Sequence, residues 1–390
     1  MKTFRKIIFW LHLTSGVFAG IVILIMSVTG ALLAFQPQIE AFVERDVRTI
    51  QISENAGRLD ANTLLSRIQT AKPEIKPTNL TIKSEPGEAA ALALGREGTL
   101  YINPYNGEIT GENSKSARAF FQFITDWHRW LGASGENRAI GKGITGACNL
   151  AFLVLAITGI YLWMPRKWSR KNVKAVGTFR FDQKGKARDF NWHNVAGIWT
   201  SLVLIVLTAT AAVISYQWAS NLVYYATGNT PPAPQQPAPP QQQSNGNAPF
   251  VVPANVSSLF SRAEQQSPGW KSIALRFPIG ENAIFTIDEG KYLNKFGRST
   301  LTLNANTAET VKWESYGEQN SGRQLRSWMR FTHTGESFGI VGQIIAFIAC
   351  LGGTLLVYTG LSLAFRRFRG WLANRSKNSG STAVPVTENE

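Results

Sequence analysis

The sequence predicts a membrane protein of four transmembrane helices, arranged as two tandem halves that each carry an α+β module outside the bilayer. Three observations lead there: four long apolar stretches, the placement of the basic residues, and the positions of the only four histidines among 390 residues. The stretches cover residues 7–35, 144–164, 193–218 and 338–365. Each reaches the ~20 apolar residues needed to cross a hydrocarbon core of about 30 Å.

The net charge of +15 raises the question of nucleic acid, and the distribution answers it. Lys2, Arg5 and Lys6 precede the first stretch. Arg166, Lys167, Arg170, Lys171, Lys174, Arg180, Lys184, Lys186 and Arg188 fill the loop between the second and third, against Asp182 and Asp189 alone. Arg366, Arg367, Arg369, Arg375 and Lys377 follow the fourth. Positive residues gather on the cytoplasmic side, so these three regions are expected inside and both termini with them. The excess charge then belongs to topology, with anionic lipid headgroups as partners and no nucleic acid.

In chain order, residues 1–36 form the first transmembrane helix. Its apolar run is much longer than the core of a cleaved signal peptide, so a retained span is expected. Residues 37–119 form the first outer module. A helix is predicted over 59–70 from Leu59, Leu64, Leu65 and Ile68, then strands over 79–83, 89–94 and 99–102, with a turn at 103–108 before Ile109. Residues 120–165 hold an aromatic segment at the membrane–water interface and the second span. Residues 166–191 are the basic cytoplasmic loop, and 192–218 the third span. Residues 219–324 form the second module, with a Pro/Gln-rich linker at 230–249. A helix over 256–266 and strands over 272–277, 283–287 and 299–304 repeat the order of the first. Residues 325–366 hold a second aromatic approach and the fourth span, and 367–390 a cytoplasmic tail. Gly141, Gly143 and Gly146 match a dinucleotide-binding spacing, but no strand precedes them and a membrane helix follows, so that reading is rejected.

The histidines carry the functional argument. His12 and His193 stand near the cytoplasmic starts of the first and third spans, and His128 and His333 just before the second and fourth. Two halves of one orientation are related by an axis along the membrane normal. This pairs His12 with His193 near the inner face and His128 with His333 near the outer face. Two histidines from facing helices suit the axial positions of a haem iron, whereas zinc normally recruits three or four protein ligands. Gly16 and Gly197 follow their histidines by one helical turn and leave room for a flat ligand or a close helix. Arg5, Lys6, Arg129, Arg138, Arg326 and Arg330 are the nearby cations available for haem propionates, or for ordinary interface anchoring. Cys148 and Cys350 lie in apolar stretches and are read as packing residues.

With these residues in hand, the chain resembles the PepSY-associated transmembrane family, which includes ferric-siderophore reductases and iron-regulated proteins of the inner membrane. The resemblance rests on Trp10-Leu11-His12 with Gly16, Asp126-Trp127-His128-Arg129, Trp192-His193 with Gly197, and His333-Thr334-Gly335-Glu336. The pairs Thr29-Gly30, Thr158-Gly159 and Thr359-Gly360 also fit, and Tyr101-Ile102-Asn103-Pro104 marks the first module as PepSY-like. The resemblance implies a bacterial inner-membrane protein with periplasmic modules.

The expected function is a transmembrane electron conduit with two haem b groups, reducing a periplasmic ferric siderophore or other ferric chelate. No flavoprotein domain follows the fourth span, so the expected donor is separate, a quinol or a soluble reductase. A different class stays open: a PepSY-type binding or regulatory membrane protein without redox activity. A transporter with a histidine proton relay is disfavoured, since no acidic residue is evident at mid-membrane depth.

Overall fold

The computed structural model describes residues 2–52, 56–165, 169–233, 250–291, 294 and 296–380. Most of the predicted Pro/Gln linker (residues 234–249), Arg166 and Lys167 of the basic loop, and residues 381–390 of the tail lie outside the described residues.

The first half runs through α1 (Lys2–Leu33), α2 (Gln36–Val43), α3 (Arg45–Arg48) and α4 (Ala61–Ala71), then β1 (Asn79–Lys83), β2 (Ala90–Ala93), β3 (Thr99–Ile102) and β4 (Ile109–Glu112), and closes with α5 (Lys115–Trp130) and α6 (Arg138–Trp163). After α7 (Arg170–Gly177), the second half follows with α8 (Gly185–Ser215), α9 (Gln217–Ala226), α10 (Val256–Gln266), β5 (Ser272–Arg276), β6 (Asn282–Asp288), β7 (Ser299–Asn304), β8 (Thr310–Glu314), α11 (Ser321–His333) and α12 (Gly339–Gly380). The chain divides into two compact units: Met1–Ala34 with Phe123–Gln217 and Thr332–Glu390, and Phe35–Gln122 with Trp218–Phe331.

The first unit is a helix bundle. Four helical segments along it are long and apolar enough to cross a membrane: Thr3–Leu33, Gly135–Trp163, Gly185–Ser215 and Glu336–Arg375. Around the bundle, α1 packs on α6 and α12, and α8 packs on the same two, so α1 and α8 stand diagonally across. Small residues set the spacing, as lipid-embedded helices require. Two glycines of the rejected motif have this role: a side chain on Gly141 would strike the Trp130 carbonyl, and one on Gly146 would come within 2.6 Å of the Tyr216 hydroxyl.

The second unit is built on one antiparallel sheet of eight strands in the order β4-β3-β2-β1-β5-β6-β7-β8. The alternation read from the sequence is present: Leu80, Ile273, Leu275, Phe285, Leu301 and Leu303 turn to one face and are fully buried. They pack with Leu64, Leu65 and Ile68 of α4 and Leu259, Phe260 and Ala263 of α10 in one core.

Where two separate modules were expected, their sheets are continuous. Strands β1 and β5 pair along their whole length, from Asn79 opposite Arg276 to Lys83 opposite Ser272. An isolated four-stranded sheet would expose the backbone groups of β1, and the pairing satisfies both edges at once. Two further differences are local. Residues 170–177 of the basic loop form α7, and the third long helix starts at Gly185 rather than at residue 192.

Candidate functional site

The bundle brings the four histidines into two pairs. His12 projects from α1 and His193 from α8, and their ring centres are 6.3 Å apart. His128 near the end of α5 and His333 at the end of α11 stand at the same 6.3 Å. All four rings are half-buried. Along α1 the helix rises about 25 Å from His12 to Thr29, the residue that contacts His128, so the pairs are separated by most of a bilayer core.

Each ring is held by a threonine from another long helix. His12 Nδ1 lies 2.9 Å from Thr158 Oγ1, His128 Nδ1 2.9 Å from Thr29 Oγ1, and His193 Nδ1 3.0 Å from Thr359 Oγ1. His333 Nδ1 lies 2.9 Å from the Leu207 carbonyl and 3.3 Å from Thr210 Oγ1. The four threonine hydroxyls donate within their own helices, to the carbonyls of Val154, Ile25, Leu355 and Val206 at 2.6–2.7 Å. Their oxygens therefore accept from the rings. A backbone carbonyl can only accept, which fixes His333 in the same way. Each neutral imidazole thus carries its proton on Nδ1 and keeps the lone pair on Nε2, the state in which histidine binds a metal.

The glycine after three of these threonines makes room for the ring. A Cβ on Gly159 would meet His12 Cε1 at 3.5 Å, one on Gly30 would meet His128 Cε1 at 3.4 Å, and one on Gly360 would meet His193 Cε1 at 3.3 Å. Thr210 is followed by Ala211, and at that position the Leu207 carbonyl supplies the closer bond. The Thr-Gly pairs were visible in the sequence; Thr210 and Leu207 carried no signal of their own.

Gly16 and Gly197 lie where a Cβ would touch Leu155 and Leu356 at 3.7 and 3.6 Å, ordinary contacts that leave space at both positions. Several of the candidate cations are engaged. Arg5 donates to the carbonyls of Leu162 and Met164 at the end of α6, at 2.5 and 3.3 Å. Arg129 and Arg138 both lie over the Trp130 ring, and Arg138 also faces Asp126 at 3.6 Å. Arg326 donates to Ser220 at 2.8 Å, and Arg330 lies over Phe331.

One residue near the first pair was read in the sequence only as a loop acid. Asp189 is buried one turn before His193 and accepts from Arg188 at 2.9 Å and from Ser362 at 2.7 Å, with Arg366 at 3.5 Å. It ties α8 to α12 beside the ring. Its scarcity as one of two acids in a basic loop was the available signal.

Among the described residues no group of three or more His, Cys, Asp or Glu converges. A metal at either pair would therefore take ligands beyond these side chains. The 6.3 Å between ring centres would leave room in either pair for two imidazoles to share one iron, each nitrogen about 2 Å from it.

No curated protein matches the chain. The family described as PepSY-associated TM region matches residues 9–367. Four helices fit to span a bilayer and a match over nearly the whole length lead to one conclusion: this membrane protein belongs to the PepSY-associated transmembrane family.

Proposed function

We propose that the protein is a transmembrane electron conduit with two haem b sites, which reduces a ferric chelate such as a ferric siderophore on its periplasmic side. The observation that carries this reading is the pair of histidine pairs, each at 6.3 Å with every Nδ1 against an oxygen of another helix, which leaves Nε2 available. His12 with His193 would hold the inner group and His128 with His333 the outer one. Bound haem supplies reversible one-electron chemistry, and the chain supplies its position and surroundings. Thr158, Thr359, Thr29 and the Leu207 carbonyl hold the rings in one orientation, and the glycines beside three of the threonines keep the approach open.

The tandem reading gains support from the matching contacts of the two halves and from the mirrored strand order. The basic residues flanking the spans favour a cytoplasmic start and end in a bacterial inner membrane, with the sheet in the periplasm. Ferric iron is held by hard oxygen donors, and accepting one electron weakens that hold, which makes a ferric chelate the favoured acceptor. The donor is a separate quinol or soluble reductase.

Absorption spectra of the purified protein, oxidised and dithionite-reduced, test the reading. A Soret band with a b-type reduced spectrum is expected. His128→Ala and His333→Ala should each remove the outer contribution and leave the inner one. Colourless protein, or a spectrum indifferent to all four histidines, would overturn it.

A further inference from the structure

Between the two histidine pairs α12 presents a waist of two glycines, and one aromatic ring reaches across the bundle to it. On α12, Gly352 and Gly353 leave no room for side chains against α8 and α1: a Cβ on Gly352 would strike Thr200, and one on Gly353 would lie 2.8 Å from Ser27 Oγ. The same position on Gly353 lies 3.4 Å from Cζ of Phe152, which reaches over from α6. Helices α6 and α12 are diagonal neighbours, so the ring spans the interior. Gly353 stands six residues before Thr359, as Phe152 stands six before Thr158. The two helices therefore meet through a large residue and a missing one at matching heights.

The height places Phe152 between the pairs. It lies about 9 Å along α6 from Thr158, the partner of His12. In the other direction it lies about 5 Å from Asn149, which donates to the Thr208 carbonyl two residues from Thr210. The packing shows the same continuity. One apolar cluster holds Ala349, Cys350 and Leu356; another holds Ala19, Ile23, Leu155 and Leu361. Phe152 alone is packed against both among the described residues. Cys350 in the first cluster and the His128 ring both lie within 3.4 Å of the same point beside Gly30. Leu155 in the second faces Gly16, one turn from His12.

We infer that Phe152 is the positioning residue through which the two sites are electronically coupled: its ring fills the waist with packed atoms where a void would otherwise interrupt the path. This inference rests on the conduit reading. The step is a one-electron transfer with no bond made or broken, and the ring stays chemically unchanged. A close-packed interior transmits such coupling better than an empty one of the same length, since a void removes the partner atoms altogether.

The test uses the full chain in vesicles that enclose ferricyanide, with dithionite outside. Each dithionite gives up two electrons as it is oxidised to sulfite, and each electron that crosses reduces one ferricyanide. Phe152→Ala is expected to slow crossing by about tenfold, as a cavity opens in the waist. The reduced spectra and midpoint potentials of both sites should stay at wild-type values, a result that general damage to the bundle would not give. Phe152→Leu, which refills most of the volume, should restore crossing to within about threefold of wild type. Wild-type crossing by Phe152→Ala with both spectra intact would overturn the inference and leave the conduit standing. Loss of either spectrum in both variants would also overturn it, by making the residue structural. A wild-type protein that is colourless, or that passes no electrons, would defeat the conduit reading and this inference with it.

Discussion

At the scale of single residues, four threonines decide which nitrogen of each histidine is left to bind. Threonine inside a membrane helix satisfies its own hydroxyl proton on the carbonyl one turn back, and this turns its oxygen into a dedicated acceptor. Replacing Thr158 by Val keeps the shape and removes that acceptor, leaving His12 Nδ1–H without its partner. Losing the partner of a histidine's other ring nitrogen weakens metal binding about 10–100-fold, and Thr158→Val, Thr29→Val and Thr359→Val should each fall in that range. Thr210→Val should cost less than any of them, because His333 keeps the Leu207 carbonyl at 2.9 Å. Haem titration of the four variants measures the order; an equal loss at all four would refute the assignment of donors. The histidines were legible in the sequence because there are four and no more. The Thr-Gly dipeptides were legible as a pattern, but their purpose was not. Thr158 and His12 are separated by 146 positions, and nothing local connects them.

At the scale of elements, α4 and α10 hold each other by their first turns. Asp60 caps α4, accepting from the amides of Asn62 and Thr63, and it also accepts from the hydroxyls of Thr63 and Ser257. Asn62 accepts from the Ser257 amide at 2.7 Å and donates to the Pro253 carbonyl at 2.7 Å. These bonds, led by that from Ser257, hold the exposed Asp60 carboxyl down to about 2. Because the folded value is depressed, the contribution is complete above the ordinary carboxylate range near 4 and disappears as pH falls towards about 2. Asp60→Ala should cost about 1 kcal/mol at neutral pH, the usual worth of such a cap, and the difference from wild type should shrink across that window. Thermal unfolding of the full chain in detergent at pH 7, 4 and 2.5 tests this; a pH-independent difference would show that packing, not charge, does the holding. The sequence predicted these helices over 59–70 and 256–266, against Ala61–Ala71 and Val256–Gln266 observed, because apolar spacing is a local signal. It gave no warning of α2 and α9, short helices that begin where long apolar ones end.

At the scale of the whole molecule, the two halves of the chain are joined in each unit separately. In the bundle, α1 and α6 from the first half pack against α8 and α12 from the second, and each histidine pair takes one ring from each half, so neither half encloses a pair alone. In the sheet, β1 and β5 form a seam of five opposed pairs, and one core unites α4 with α10. Repetition in the sequence suggested two modules. It could not reveal the seam, since strand patterns record which face is buried and not which edge finds a partner. A chain divided in the loop between α7 and α8, after Gly177 and before Gly185, and produced as two coexpressed fragments should therefore assemble into one complex. Each fragment supplies one histidine to each pair, so the complex should carry the full spectrum of the intact protein. Either fragment alone should be unstable and colourless, lacking half of both sites and exposing a sheet edge. Affinity purification through a tag on one fragment reads the outcome directly. Two fragments that purify apart, each with its own haem, would mean that each half builds a complete site, and the pairing of His12 with His193 and of His128 with His333 would fall.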